Sequence, residues 1–347
     1  MGGTVVGVDI GSSSVRGVEV QGYDTAKPVI VRYHEVPVPE QAVRRGEVVE
    51  GQTVATALKR LWSTGGFKTK DAVLGIGGGR VFARDLSVPY GTLQQIRDSL
   101  PFNVQDLLPV PVADALLDFY PIGEEATEQG RQVSGLLVAA VKEAVNANVT
   151  AALQAGLNPV QVDFIPFAIT RAVAPRRSSH GRDMLVAMGA NTTNVIVHED
   201  GVPSFVRIIP SGGDDVTNAI VQRLQWTPEQ AEQAKRALGM GGQMMRQEDR
   251  PVIEVIYEVV GELLTSIRST LSYYANSKPG SPVQRIVLTG GGAQLTGLPN
   301  ALADLTGLPV VLAEAFRQVS QKSRQRATAE EEDEFTTALG LALGGHE

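Results

Sequence analysis

Cysteine is absent from this sequence, which excludes disulfide bonds, thiolate nucleophiles and cysteine-ligated zinc. Histidine is scarce as well, because the chain has only four and no two of them stand at a spacing typical of metal ligands. We therefore expect neither a catalytic cysteine nor a histidine-based metal site. The four histidines are interpreted as ordinary surface and strand residues.

Basic charge is in deficit, with 31 lysines and arginines against 38 acidic residues and a net charge of −7. This disfavours a general nucleic-acid-binding protein, which needs a basic face to release counterions from phosphates. Long apolar runs are missing too, since a run such as residues 136–141 is too short to cross a bilayer. The first residues enter a strand-like segment without the basic and apolar regions of a secretory signal, so we expect a cytoplasmic protein.

The chain does have length and an internal repeat. At 347 residues it exceeds the size at which a single hydrophobic core stops growing, which favours two lobes. Residues 6–20 are typical of an apolar strand, a turn rich in glycine and serine, and a second strand. Residues 185–197 repeat this order. Alignment of the two turns pairs Gly11 with Gly189, Asp9 with Ala187, and Arg16 with Asn194.

Turns of this kind suit phosphate binding. Successive backbone N–H groups between two strands form a concave cradle for an anion, and a glycine such as Gly11 allows close approach. Asp9 stands at a strand end, where it would hold Mg²⁺ directly or through water, because that ion prefers oxygen ligands. The alternative is that each segment is an ordinary hairpin whose glycines serve only the turn. The side chains that would add donors or charge are Ser12, Ser13, Ser14, Arg16, Thr192 and Thr193.

A third glycine cluster, Gly290-Gly291-Gly292, follows a strand-like segment and precedes a helical one. Glycines there allow a flat ligand to pack on the backbone near a helix N-terminus, but a triple glycine also fits a plain turn, as we interpret residues 77–79. Earlier, Thr227 predicts the start of a helix that carries Glu232 and Lys235 three residues apart. That pair is either a solvated surface ion pair or a contact with a ribose and base.

These residues, in this order, resemble the actin-like ATPase superfamily, which includes actin, sugar kinases and FtsA. The first turn is most similar to that of the PilM family, the actin-like cytoplasmic components of type IV pilus assembly. The likeness covers essentially the whole chain. The stretches that carry it are residues 9–16, 85–89, 107–119, 136–143, 155–163, 167–172 and 337–343.

The resemblance implies an α/β fold, namely an actin-like duplicated two-lobed structure with ribonuclease H-like βββαβα cores and a small inserted α+β subdomain. It places the first lobe at residues 1–79 and 164–180, rejoined by a C-terminal helix at 330–347. The insert is expected at 80–163 and the second lobe at 181–329. It further implies that the cytoplasmic N-terminal tail of the membrane protein PilN binds in a groove beside the insert. This would recruit the protein to the inner face of the cytoplasmic membrane, and self-association stays open.

Carried over by position, the resemblance also implies an ATP site with Mg²⁺ near Asp9. Phosphates would be held by the two turns, and the ribose and base by residues of the second lobe. The implied residues are Gly11, Ser12, Ser13, Ser14 and Arg16 in the first turn; Gly189, Asn191, Thr192 and Thr193 in the second; Gly212 and Gly213 near the phosphates or ribose; Glu232 and Lys235 at the ribose and base; and Gly290, Gly291 and Gly292 at the adenine.

Ala187 departs from the superfamily pattern, in which the second loop reads Asp-hydrophobic-Gly. That acid helps to place Mg²⁺ and the attacking water, so its loss should slow phosphoryl transfer substantially. We therefore favour an ATP-binding adaptor with at most slow ATPase activity over an active enzyme, and we name no catalytic residue.

Two other functions stay open. A small-molecule kinase of this fold needs a carboxylate base, for which Asp118 and Asp163 are candidates outside any recognisable kinase motif. An FtsA-like, filament-forming cell-division protein would be tethered by a C-terminal amphipathic helix, and residues 344–347 lack the basic and bulky apolar side chains of such a helix.

Overall fold

The computed structural model describes residues 2–39, 41–128, 130–174, 181–241, 246–322 and 328–344. The predicted first-lobe segments 164–180 and 330–347 therefore lie partly outside the described residues. The strands are β1 (Thr4–Ile10), β2 (Ser14–Gln21), β3 (Val29–Pro37), β4 (Val43–Arg44), β5 (Glu47–Val48), β6 (Asp71–Ile76), β7 (Val81–Pro89), β8 (Ala115–Thr127), β9 (Gly130–Val141), β10 (Asn158–Phe164), β11 (Arg182–Met188), β12 (Thr193–Glu199), β13 (Val202–Ile209), β14 (Arg285–Thr289), β15 (Val310–Leu312) and β16 (Ser320–Gln321).

The helices begin where the sequence supplies capping residues or a turn. Thr92 and Thr227 each close a capping box at the start of a helix, with the side-chain oxygen accepting a backbone N–H three residues on. The helices are α1 (Gly51–Gly65), α2 (Leu93–Asn103), α3 (Lys142–Gln154), α4 (Ile165–Val173), α5 (Gly213–Leu224), α6 (Pro228–Leu238), α7 (Arg250–Ser277), α8 (Leu298–Thr306) and α9 (Ala329–Leu343).

The two main sheets repeat one topology. The first has the order β10-β6-β1-β2-β3-β16 and the second the order β13-β12-β11-β14-β15. In each, the leading strand (β1 or β11) is antiparallel to the strand that follows it and parallel to a later one, β6 or β14. Five strands of one sheet therefore match five of the other in relative position, so the duplication predicted from the two turns is present in the fold.

The strand register agrees with the predicted alignment of the two repeats. Asp9 pairs with Arg16 across β1 and β2, and Ala187 pairs with Asn194 across β11 and β12. Where the first repeat has an acid opposite a base, the second has two uncharged residues. The second repeat has therefore lost both charges of the pair.

The insert is a separate three-stranded sheet of order β7-β9-β8, with α2 packed on β8. Its own small core includes Val88, Leu100, Phe119 and Leu137. The predicted boundary of the insert at residue 163 is too late, because β10 pairs with β6 in the first main sheet and α3 packs on α1 and β10. The last strand of the insert sheet is therefore β9. The rest of the predicted domain division stays a prediction.

Helix α9 returns the end of the chain to the first lobe. It packs on α4, β1 and β2 at very close range, because Gly7 and Gly340 leave no side chain at the contacts. A Cβ on Gly7 would collide with the carbonyl oxygen of Ala338, and one on Gly340 with that of Ala168. In the second lobe, α7 buries an apolar face against the sheet, with Ile256 and Ile267 among the core residues. Because α9 also contacts β14, it joins the first main sheet to the second.

Candidate functional site

The first turn joins β1 to β2 and is closed by one backbone hydrogen bond. The N–H of Gly11 donates to the carbonyl oxygen of Ser14 at 3.0 Å. The side chain of Ser14 is buried and its hydroxyl donates to Glu35 at 3.4 Å. Ser13 is exposed and Ser12 is partly exposed. The tip of this turn is therefore accessible to a ligand, while its base is fixed to β3.

The second turn, between β11 and β12, has the same closure. The N–H of Gly189 donates to the carbonyl oxygen of Thr192 at 2.9 Å. Thr193 is buried and its hydroxyl donates to the carbonyl oxygen of Ser211 at 2.8 Å. The side-chain amide of Asn191 donates to Asp214. Burial raises the pKa of Asp214 above its ordinary value, with Lys235 and this hydrogen bond opposing the rise.

Gly212 and Gly213 support the second turn from behind. The N–H of Gly213 donates to the carbonyl oxygen of Gly189 at 3.0 Å, and the N–H of Asp214 to that of Ala190 at 2.8 Å. A Cβ on Gly212 would lie 2.5 Å from both of these carbonyl oxygens, so only glycine fits there. The start of α5 is therefore locked to the turn, and the N–H groups of residues 213 and 214 are already engaged by the protein.

Glu232 and Lys235 form a tight polar cluster on α6 instead of a solvated surface pair. Lys235 is buried, and its ammonium lies 2.5 Å from Glu232, 2.9 Å from the hydroxyl of Thr217 and 3.1 Å from the carbonyl oxygen of Gly213. Burial alone would raise the pKa of Glu232. Hydrogen bonds from Lys235, Arg236 and Thr217 outweigh it and lower that pKa to about 2. The cluster ties α6 to the start of α5, directly behind the second turn.

The third glycine cluster lies against the end of β11. Gly290 has φ +87°, a conformation that favours glycine, and a Cβ there would be 2.5 Å from the carbonyl oxygen of Met188. A Cβ on Gly292 would collide with the Met188 side chain, whereas one on Gly291 would meet nothing within 4 Å. Met188 immediately precedes Gly189. The fold therefore brings the second turn, Gly212–Gly213 and the third cluster to one place in the second lobe.

Residues of the first lobe face this place across the cleft between the lobes. The N–H of Arg45 donates to the side chain of Asn191 at 3.4 Å. On α6, the hydrogen bond to Glu232 raises the pKa of Arg236, and the charges of Glu334 and Glu35 add to the rise. Because Glu35 is on β3 and Glu334 on α9, the second-lobe helix α6 lies close to the elements that surround the first turn.

Arg16 does not point freely into the cleft. Its guanidinium contacts Glu35 at 2.6 Å and Glu334 at 3.5 Å, and its side chain is only 18% exposed. Sequence reasoning missed both glutamates. Glu334 is 318 residues from Arg16 in the chain, and no local pattern relates them.

Asp9 lies at the end of β1, opposite Arg16 and half-buried. Burial raises its pKa above the ordinary value, the positive charge of Arg16 lowers it, and Glu35 raises it. In the part of the chain that the structure describes, no three acidic or histidine side chains converge on a metal position. One carboxylate fits an ion that takes its other oxygens from phosphates and water. Magnesium near Asp9 stays a prediction.

The carboxylates considered as kinase bases are both engaged in ion pairs. Asp118 lies on β8 of the insert and pairs with Arg97 at 2.7 Å. Asp163 lies on β10 and pairs with Arg171 at 3.0 Å. Each carboxylate is thus held by an arginine, which makes it a poorer candidate for a general base.

Fold and site together define an actin-like protein with two duplicated sheets, each of which carries one glycine-containing strand–turn–strand motif. The family model described as Type IV pilus assembly protein PilM matches residues 7–346. The chain therefore belongs to the PilM family of type IV pilus assembly proteins.

Relatives and solved structures agree with this assignment. The chain is 24% identical over 343 residues to the cell division protein FtsA of Pseudomonas aeruginosa, covering 85% of this chain and 79% of that protein. It is 21% identical over 259 residues to FtsA of Bacillus subtilis, covering 67% of this chain but only 58% of the FtsA sequence. Among structures, it is similar to the PilM–PilN type IV pilus biogenesis complex, with a TM-score of 0.86 and 27% identity over 99% of this chain and 98% of that one.

More distant structures share the fold alone. The ethanolamine utilization protein EutJ of Carboxydothermus hydrogenoformans matches with a TM-score of 0.57 and 17% identity over 99% of this chain and 90% of that one. MreB5 of Spiroplasma citri, in a structure bound to AMPPNP, matches with a TM-score of 0.52 and 10% identity over 91% and 93% of the two chains. The predicted actin-like fold and PilM resemblance are thus confirmed. Among the described residues, no helix has the length and apolarity that a membrane span requires.

Proposed function

We propose that this chain is an ATP-binding adaptor of type IV pilus assembly that captures the cytoplasmic N-terminal tail of PilN. The observation that carries the proposal is the likeness, over 99% of this chain, to a structure solved as a PilM–PilN complex. Through that partner the protein would be recruited to the inner face of the cytoplasmic membrane. ATP would lie between the two turns, with Mg²⁺ near Asp9. Self-association, which the FtsA relatives suggest, stays a prediction.

The junction between the insert and the first lobe borders the surface that we propose for tail binding. A small cavity there is lined by Gly78, Arg80, Val81 and Asn148 among others. Asn148 is 3% exposed, and its side-chain carbonyl oxygen lacks a hydrogen-bond partner in the described structure. A buried polar atom of this kind is costly unless it is satisfied, and a cavity of about 10 Å³ has room for a water molecule that would do so. Arg80 closes one side by pairing with Glu47 and Glu143 at 2.7 Å each.

A separate open groove of about 470 Å³ lies between the start of α1 and α3. It is lined by Val49, Gln52, Glu143 and Thr150, among others. Val49 is 61% exposed, so its burial against an apolar side chain of the tail would contribute favourable free energy to binding. The groove therefore offers an apolar contact beside polar groups, as a short peptide requires.

Tail binding is tested by titrating a labelled PilN tail peptide against wild type and two variants, with fluorescence polarisation as the readout. Thr150→Trp fills the groove and should weaken binding at least about tenfold. Thr265→Trp, a change of the same kind at an exposed position on α7, should leave it unaltered. Equal binding by wild type and both variants would remove the groove from the proposal.

ATP binding and turnover are tested separately by calorimetry and phosphate release. Asn191→Ala at the second turn should weaken ATP binding, whereas Asn218→Ala on the exposed side of α5 should not. Turnover should stay far below the roughly 1–100 s⁻¹ of kinases, because Ala187 supplies no carboxylate where the first repeat has Asp9. Sugar-stimulated formation of ADP at kinase rates, with the phosphoryl group transferred to the sugar and no phosphate released, would favour the small-molecule kinase instead.

A further inference from the structure

Arg16 and two glutamates form what we call the arginine clasp, defined as Arg16, Glu35 and Glu334. Glu35 is the cross-strand neighbour of Arg16 in the β2–β3 register, and its carboxylate lies 2.6 Å from Nε in an ion pair that lacks hydrogen-bond geometry. Glu334 comes from α9 and approaches Nη2 at 3.5 Å. A guanidinium binds carboxylate and phosphate oxygens through the same planar set of donors. The two glutamates therefore neutralise the guanidinium that a phosphate at the first turn would need, and Glu334 also accepts a hydrogen bond from it.

The two contacts of the clasp differ in strength. Glu35 lies on the neighbouring strand, so strand pairing holds it beside Arg16 whatever the ligand. Glu334 belongs to a helix from the other end of the chain, and its longer contact makes it the weaker of the two. A ligand that competes for Arg16 would displace Glu334 first.

The start of α9 also touches the second lobe. Thr336, two residues after Glu334, is buried, and its hydroxyl lies 3.0 Å from that of Thr289 at the end of β14. The glycine cluster 290–292 follows Thr289 directly. One short stretch of α9 thus contacts the arginine of the first turn on one side and the glycines beside the second turn on the other.

We propose that the arginine clasp is autoinhibitory: Glu35 and Glu334 act as internal substitutes for phosphate, and ATP must displace Glu334 from Arg16 to bind. The proposal rests on the proposed nucleotide site at the first turn. Without nucleotide, the two glutamates neutralise the charge of Arg16. Phosphate binding at the first turn would therefore release the start of α9. Arg236, whose pKa is raised in part by Glu334 and Glu35, is the nearby second-lobe cation that would retain the displaced carboxylate.

The test is calorimetric titration of ATP into wild type, Glu334→Gln, Arg16→Gln and the double variant. Glu334→Gln should bind ATP roughly three- to tenfold more tightly, since a partly exposed ion pair is broken at modest cost. In the Arg16→Gln background the same change should give no gain, because there is no longer a guanidinium to release. Glu35→Gln should shift the affinity in the same direction, and Glu258→Gln, which removes one exposed charge remote from the clasp, should not.

Each outcome decides one question. Unchanged or weaker ATP binding by Glu334→Gln overturns the clasp, because Glu334 would then be irrelevant to Arg16 or would orient it. A gain that persists without Arg16 also overturns it, because only long-range charge would be acting. Failure of wild type and all variants to bind ATP overturns the nucleotide site itself. Binding by Glu334→Gln where wild type shows none supports the clasp.

Discussion

Glu232 offers the sharpest test of the polar cluster behind the second turn. A carboxylate whose pKa falls from 4.5 to about 2 on folding stabilises the folded state by about 3 kcal/mol at neutral pH. Because 34% of the side chain is exposed, solvent screening reduces this to about 2 kcal/mol. Glu232→Gln should therefore lower the free energy of unfolding by about 2 kcal/mol at pH 7, leaving buried Lys235 without its counter-charge.

The pH dependence gives the same prediction an independent check. The folded-state pKa of Glu232 is depressed, so its contribution is fully present above pH 4.5 and is lost as the pH falls from 4.5 towards 2. The difference between wild type and Glu232→Gln should shrink over that range. Glu258→Gln, which breaks an exposed pair with Arg223, should leave the free energy of unfolding almost unchanged at any pH.

The assay is urea unfolding followed by far-UV circular dichroism and by fluorescence in a Trp62→Phe background. The chain has two tryptophans, Trp62 in the first lobe and Trp226 between α5 and α6, so the remaining signal reports on the second lobe. A loss below about 0.5 kcal/mol at pH 7, or a loss of constant size between pH 7 and pH 3.5, would show that Glu232 does not stabilise the folded state as a buried ionised group.

Three further changes test other contacts. Gly292→Ala should destabilise the second lobe by about 1–2 kcal/mol in urea unfolding, because its Cβ would collide with the Met188 side chain, while Gly291→Ala should be neutral; equal effects would contradict this packing. Asp183→Asn should lower the free energy of unfolding by about 2–3 kcal/mol in the same assay, because Asp183 is 2% exposed and accepts two hydrogen bonds from Arg285. A loss near zero would contradict this. Burial lowers the pKa of His198, so the unfolded state binds the proton first and the free energy of unfolding should fall as the pH drops below about 6.5. His198→Asn should reduce this dependence of stability on pH. An unchanged dependence would assign it to another group.

Elements with a strong local signal could be predicted from the sequence. Apolar residues recur at helical spacing along α7, Arg250–Ser277, so this helix is indicated by its own sequence. Asp200 and Gly201 adopt positive φ angles of 51° and 82° in the hairpin between β12 and β13, as an Asp-Gly pair favours. Thr227 caps α6 as predicted. In each case the residues that determine the structure lie within a few positions of one another.

Features that depend on distant partners could not be predicted. The β10 strand, Asn158–Phe164, was placed in the insert because its parallel partner β6 lies 87 residues earlier at the Asn158–Asp71 pair, and parallel pairing leaves no local pattern. The contact of Arg16 with Glu334 spans nearly the whole chain. Glu232 and Lys235 were recognised as a pair, but their burial depends on Thr217 and Gly213 of another helix.

Hydrogen–deuterium exchange with and without ATP tests the shared nucleotide site most directly. If one triphosphate lies between the lobes, amide exchange should slow at both turns, in peptides covering residues 9–17 and 187–194, while the exposed face of α7 exchanges at an unchanged rate. Protection of one turn without the other, or of neither at saturating ATP, would contradict a site built from both repeats.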